Sequence, residues 1–505
     1  MGVSQILRDF SGWTSAHGIP HIGSAQNMCL RVFWTLIFLG STSMFVYQMV
    51  ELIQKYLAYD VTVQTELRFE ERYFPAVTVC NLNPMKETEI DLVPEIRSLM
   101  NNYTLAVAGN PESNYWGFNG TSDEPIAIQS KARDHLVFLA ADVKKNTPDV
   151  LNTTNIDMDD FIMNCAYNTK PCNTSEDFEE IIDPIYGSCF TFNFQEPPTY
   201  KSTRAGPLYG LRLLLKSNQT EYLPITESAG VRVSVHGQGE EPFPDAFGYN
   251  AAAGFTTSFG IKYIRTTRLD EPYGNCTEEK GTGSYYYDGT YSVEGCFRSC
   301  LQDNIKEECG CYDPRFGSPD ENFCTTNKVE CVSQFTSSKN GQSSFNAIAS
   351  CACPQPCNES TYGVTVSTAL WPSEVYTPPE CKDPYWASED ECTDWYKRNT
   401  MLVEVYYERM NYQLLSESQA YGIVNLVSDM GGQLGLWMGI SVITVVEFLS
   451  LMVLLCLYCM TRRKGPGLDG GEGDSDDEDD KTPEKQDPGY DAPEDDAPAP
   501  PAPAE

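Results

Sequence analysis

The chain has 505 residues, room for several domains, and a formal net charge of −36 from 71 Asp and Glu against 35 Lys and Arg. So acidic a chain argues against nucleic acid as a partner, because phosphate contacts need clustered Lys and Arg. Part of the charge is local, in the Gly/Pro-rich acidic run "GPGLDGGEGDSDDEDDK". That composition buries no core, so 461–505 is expected to be a disordered tail.

In chain order, residues 1–28 form a leading segment that carries "AHGIPHI" (16–22). The apolar tract "VFWTLIFLGSTSMFVYQMV" (32–50) follows, the centre of a first transmembrane helix over 29–53. It starts too far along, runs too long and lacks the small-residue cleavage site of a signal peptide. A second apolar tract, Leu434 to Met460, sits in a segment set at 421–460. Arg31 flanks the first tract and "TRRK" follows the second, so both termini are expected in the cytosol and 54–420 outside, in the plasma membrane.

The inferred outer loop agrees with that topology. Sixteen of the 19 cysteines fall between Cys80 and Cys392, an even number suited to disulfides in an oxidising compartment. Cys29, Cys456 and Cys459 lie at the membrane edges; the last two are open to palmitoylation or are plain lipid-facing thiols. Asn102, Asn119, Asn152, Asn173, Asn218, Asn275 and Asn358 each begin an Asn-x-Ser/Thr sequon, all in the same loop.

Within the loop, "TVQTELRFEERYFPAVTVCNLN" (62–83) alternates and predicts strands, as do 188–194, 210–216, 230–237, 260–269, 362–370 and 401–408. These predict one mixed or antiparallel sheet built from pieces distant in sequence. Residues 86–160 carry helical periodicity, clearest in "AIQSKARDHLVFLAADVKK". Residues 276–357 are cysteine-dense: Cys296-x₃-Cys300-x₈-Cys309-x-Cys311, then Cys324, Cys331 and Cys351-x-Cys353-x₃-Cys357. The pairs do not match the usual zinc spacing, so a disulfide ladder is expected and no metal site.

Four ordered marks give the chain a resemblance to the degenerin/epithelial sodium channel/acid-sensing ion channel family. They are "AHGIPHI", "FPAVTVCNLN" (74–83), the cysteine grammar of 276–357, and "GGQLGLWMGIS" (431–441) with Glu447. The resemblance implies an α+β membrane protein: two transmembrane helices per subunit and a disulfide-rich, hand-like ectodomain of palm, β-ball, finger, thumb and knuckle. It implies a trimer, expected to be a homotrimer, with 86–160 much of the finger and 276–357 the thumb. Carried over, the family's bridges are Cys80–Cys189, Cys165–Cys172, Cys276–Cys357, Cys296–Cys353, Cys300–Cys351, Cys309–Cys331 and Cys311–Cys324. Cys381 and Cys392 remain and are expected to pair with each other, a departure from the acid-sensing pattern.

The same resemblance implies a sodium channel with Gly439, Ile440 and Ser441 as the selectivity filter, permeant sodium in place of any cofactor, and amiloride as a blocker. Small residues let backbones and hydroxyls close on a partly dehydrated ion. Gly431, Gly435 and Gly439 at four-residue steps also fit plain helix packing. At about 100° per residue, an unbroken helix puts Asp429, Gln433, Leu436, Ile440 and Glu447 near one pore-lining face. Ser441 falls off that face, which predicts a helix broken at 439–441. Glu447, an intramembrane acid with no basic residue in either span, is expected near the ion path. The resemblance makes His17-Gly18 a re-entrant gating loop and Ser428 a position where bulk holds the pore open.

The stimulus is less constrained. Tyr59-Asp60 stands where acid-sensing members have a histidine pair, and "ITESAG" replaces their acid-rich segment, leaving Glu227. An extracellular FMRFamide-like neuropeptide is therefore the expected agonist, ahead of protons or constitutive opening. Its arginine and amidated aromatic end call for acids and aromatic walls, as in "NPESNYWGFNGTSDEP" (110–125). Outside the family, a two-span adhesion or scavenger receptor fits the topology but has no use for glycines and an acid in its second span. An ATP-gated channel needs basic ectodomain residues. An enzyme is not expected: His135 and His236, the two outer histidines, sit in no catalytic motif.

Overall fold

The computed structural model describes residues 3–110, 115–120, 123–195, 197–278, 283–336, 350–382 and 385–462. The expected tail lies, from residue 463 onward, outside the described residues, as does part of 110–125. The chain forms two compact units, one of 1–48 with 431–505 and the other Met49–Met430.

Two apolar helices dominate the first unit, Val442–Arg462 and the part up to Gln48 of Met28–Leu57, which continues into the second unit. Thirty residues at about 1.5 Å each reach about 45 Å, more than the ~30 Å hydrocarbon core. Their Leu, Val, Phe and Met side chains are largely exposed, as lipid contact requires. Ahead of them, Val3–Trp13 is amphipathic. It buries Phe10 against Trp13 and Phe448, with ring centroids 5.3 and 5.2 Å away.

In the second unit the strands form two main sheets, not the single sheet expected from alternation. The eight-stranded one runs Val61–Phe69, Asn411–Gln419, Phe255–Thr267, Thr400–Tyr407, Leu211–Lys216, Ile162–Tyr167 and Lys170–Pro171, with Asn358–Leu370 also on Phe255–Thr267. The five-stranded one runs Gly248–Ala252, Gly230–His236, Ala76–Asn81, Gly187–Phe192 and Phe178–Asp183. Alternation marks a strand but not its partner, so the pieces around Ala76–Asn81 could not be told from the rest. Phe74, Val79, Phe190, Val233 and Val403 share one buried core beneath both sheets.

The helix Pro125–Asn146 opens on a proline and is used on two faces. Ile128, Ala132, Leu136 and Leu139 pack with Ile96, Leu99 and Met100 of Pro94–Val107. Val137 and Phe138 pack instead with Ile305, Cys309 and Val332. The helix Val293–Cys309 is capped by the Ser292 hydroxyl, 3.0 Å from the Gly295 N–H, and stops at Gly310, whose φ is 80°.

Eight disulfides close the sixteen cysteines between Cys80 and Cys392: Cys80–Cys189, Cys165–Cys172, Cys276–Cys357, Cys296–Cys353, Cys300–Cys351, Cys309–Cys331, Cys311–Cys324 and Cys381–Cys392. The first seven coincide with the pairs that the resemblance implies, and Cys381–Cys392 is the leftover pair expected as a departure from it. Five of them staple 276–357, where the apolar cluster is small, by about 2–4 kcal/mol each.

Candidate functional site

The second apolar tract is not one helix. Ile423–Gln433 is regular, Leu434–Met438 widens into a π turn, and Val442–Arg462 begins afresh. Gly439 turns the chain with φ +62°, a conformation that costs glycine little. The Gly439 and Ile440 N–H groups close the π turn onto Gly435 O at 3.1 Å and Leu434 O at 3.2 Å. Because the helix breaks here, the phase count from Asp429 to Glu447 does not carry across it, and the face that an unbroken helix would present does not form.

Ser441 is where the next helix starts, and its hydroxyl is occupied there. Thr444 N–H donates to Ser441 Oγ at 3.4 Å, while Ser441 N–H donates to Thr444 Oγ1 at 3.1 Å. This reciprocal pair is a capping box with threonine at the third helical position. The Ser441 carbonyl accepts from Val445 N–H at 3.1 Å. The Gly439 and Ile440 carbonyl oxygens carry no hydrogen bond among the described residues, while the Ser441 hydroxyl is engaged in the cap.

The His-Gly segment belongs to the same site. His17 N–H donates to Met438 O at 3.0 Å, and a Cβ on Gly439 would collide with the His17 ring. Gly18 has φ +87°, and a Cβ there would lie 3.1 Å from Phe38. Glu447 accepts from Thr14 Oγ1 at 3.0 Å, Ser15 N–H at 2.8 Å and Ser15 Oγ at 3.2 Å. Neutral donors of the leading segment thus take the place of the missing base. From the first apolar helix, Gln48 Oε1 accepts from Trp437 Nε1 at 2.6 Å, and the Thr42 hydroxyl meets Met438 Sδ at 3.6 Å.

The other expected pore residues are placed as follows. Leu436 is exposed, and Gln433 Oε1 is buried with no partner among the described residues. In the second unit, Ser428 is exposed and Asp429 accepts from the Tyr421 hydroxyl at 2.7 Å. Thr14, Ser15, Gln48, Trp437 and Thr444 were missed by sequence reasoning. Only Thr444 left a readable signal, the Ser-x-x-Thr spacing of a cap.

A second candidate site lies in the extracellular unit. A cavity of about 500 Å³ is walled by the helix Pro125–Asn146 and by the cysteine-dense region. Asp183, Glu241 and Asp288 line it together with Phe243, Tyr287 and Phe316. Burial, helped by Asp288 and Asp183, pushes the Glu241 carboxyl up to about 7. Burial also raises Asp183, although Tyr186 and Ile185 N–H groups donate to it at 2.9 and 2.8 Å. Two arginines brace the walls: Arg298 pairs with Asp245 at 2.8 Å and Glu294 at 2.7 Å, and Arg315 with Asp313 at 2.7 Å and Asp134 at 3.2 Å.

Of the sequons, Asn119, Asn173, Asn275 and Asn358 are exposed, while Asn102 and Asn218 are half-buried. The side chain of Asn152 lies outside the described residues.

Two bilayer-length apolar helices and a disulfide-stapled domain between them define a two-span membrane protein. A sequence model described as "Amiloride-sensitive sodium channel" matches residues 10–451. The chain is 36% identical to degenerin-like protein asic-2 of Caenorhabditis elegans, over 91% of this chain and 88% of that one. It is 40% identical to degenerin unc-8 of the same nematode over 70% of this chain, spanning about half (47%) of that longer protein. With degenerin mec-10 it shares 29% identity over 88% of this chain and 83% of the relative. A solved proton-activated chloride channel aligns over 84% of this chain and 98% of its own at 5% identity, but with a TM-score of 0.31 it supports no argument. The chain belongs to the degenerin/epithelial sodium channel/acid-sensing ion channel family. It is a sodium channel of that family, set in the plasma membrane by its two spans.

Proposed function

We propose that the chain forms a homotrimeric, sodium-selective, amiloride-sensitive channel with both termini in the cytosol, opened by an extracellular FMRFamide-like peptide. Gly439, Ile440 and Ser441 form its filter, with the Gly439 and Ile440 carbonyls toward the ion. The observation that supports peptide opening is the extracellular cavity. Its about 500 Å³ suits a short peptide end, its acids suit a guanidinium, and its aromatic walls suit an amidated phenylalanine. This moves the expected contact from 110–125 to the cavity. One observation favours a second reading: Glu241, near pH 7, lets mild acid change the charge of the same cavity.

Expression of the full chain in oocytes under voltage clamp tests both readings. An inward sodium current evoked by an amidated Arg-Phe peptide and blocked by amiloride is the expected result. Current evoked by acid alone supports the second reading. An amiloride-sensitive current that flows at rest and answers neither stimulus overturns both.

A further inference from the structure

This inference rests on the reading of Gly439–Ser441 as the ion-selective constriction and asks what holds it in shape. We propose that Thr444 and Ser15 are positioning residues for the constriction, through a hydrogen-bond chain that runs from Ser441 to Glu447 by way of the leading segment. Thr444 is fully buried although it sits in a helix of apolar residues. Its oxygen lies 3.1 Å from Ser441 N, 3.3 Å from Ser441 Oγ and 2.6 Å from Ser15 Oγ.

The donors assign themselves. The Ser441 and Thr444 N–H groups can only donate, which fixes the two bonds of the cap. Glu447 Oε2 accepts from the Thr14 hydroxyl and from the Ser15 N–H and hydroxyl. With its own proton so committed, Ser15 Oγ accepts from the Thr444 hydroxyl. The Thr444 hydroxyl being so committed, the Ser441 hydroxyl donates to Thr444 Oγ1 at 3.3 Å, and the chain runs one way, from Ser441 through Thr444 and Ser15 to Glu447.

Two consequences follow. The leading segment holds the start of the helix Val442–Arg462, and with it the direction of the two carbonyls just before. It also keeps the Glu447 charge engaged instead of loose along the ion path. Plain helix packing makes a different forecast: valine, isosteric with threonine, replaces Thr444 without consequence for selectivity.

The test uses the full chain in oocytes, with Ser428→Trp present so that current flows without agonist. Thr444→Val is expected to lower the sodium-over-potassium permeability ratio by roughly fivefold, the change expected from losing one net hydrogen bond. Thr444→Ser is expected to keep the ratio. Ser15→Ala is expected to lower it less, and to add nothing in the Thr444→Val background, because both act through one chain. Independently of current, Ser15→Cys with Thr444→Cys, in a chain with Cys29, Cys456 and Cys459 changed to Ser, is expected to form a disulfide that mass spectrometry of the digested protein detects. Failure to crosslink, or a wild-type ratio in Thr444→Val, overturns the proposal. The underlying reading is tested apart: Ile440→Cys should become sensitive to a thiol-reactive cation. Insensitivity there removes the constriction itself, whereas sensitivity there with a wild-type ratio in Thr444→Val removes only the role of Thr444.

Discussion

Glu241 carries much of the chemistry of the extracellular cavity. Half-buried beside Asp183 and Asp288, its carboxyl is pushed up to about 7 from the ordinary 4.5. A raised acid is neutral when folded but ionised when unfolded between those values. Its contribution to stability is therefore fullest below about pH 4.5 and declines as pH rises toward 7. For a cationic peptide the sign reverses, since only the ionised carboxylate attracts a guanidinium. From about pH 8 to about pH 6 the half-maximal peptide concentration should rise severalfold, and Glu241→Gln should flatten that dependence. Dose–response curves at the two pH values check this, and a slope unchanged in the variant counts against the cavity. Nothing in the local run 239–245, "GEEPFPD", distinguishes Glu241 from any solvated acid, because its surroundings come from segments far along the chain. Ser428, by contrast, is singled out by the family resemblance alone and is exposed on the helix Ile423–Gln433. Ser428→Trp should raise the resting sodium current, and a silent variant would remove that alignment.

At the scale of elements, the break in the second span was legible and the π turn before it was not. Glycine at 439 and the phase of Ser441 both pointed to an interruption. Ring size in the preceding turn leaves no mark on propensity, because the same residues suit either hydrogen-bond spacing. What fixes it is tertiary: Gln48 holds the Trp437 indole at 2.6 Å, and Thr42 meets Met438. Trp437→Phe keeps the ring, removes the N–H, and leaves the Gln48 carbonyl unpaired in an apolar setting, at about 1–3 kcal/mol. The peptide dose–response or resting current of Trp437→Phe should shift, and Gln48→Leu added to it should bring the value back toward wild type, since removing both partners is nearly neutral. Equal behaviour of the single and double variants would show that the bond does not hold the turn. The sheets teach the same lesson. Phe178–Asp183 reads as a polar, acidic run, "FEEIID", yet it pairs along Gly187–Phe192 as the edge of the five-stranded sheet. A sheet edge tolerates charges that a central strand would not.

Across the extracellular unit, the parts are joined by a few shared pieces. The helix Pro125–Asn146 gives one face to each of two apolar clusters, and Arg315 ties that helix to the cysteine-dense region. The helix itself was plain in the sequence, but its double use was not, since periodicity shows a buried stripe without saying what covers it. Arg315 reaches Asp134 on the helix and holds Asp313, whose side chain is fully buried, through Nε and Nη2. Burial pushes the Asp134 carboxyl up, and the guanidinium pulls it back down. Arg315→Met keeps much of the stem's packing but strands both carboxylates, at about 3–5 kcal/mol. Without the cation the Asp134 carboxyl, already raised by burial, should rise further in the folded protein, so part of the lost stability should return as it is protonated. Thermal unfolding of the purified full chain in detergent should therefore show Arg315→Met melting well below wild type at about pH 7.5, with the gap narrowing toward about pH 5. Adding Asp313→Asn should narrow it at neutral pH as well, because one of the stranded charges is then gone. A gap that stays constant with pH would mean that Arg315 acts through packing alone, and that the helix is held to the stapled region by its apolar face at Val137 and Phe138.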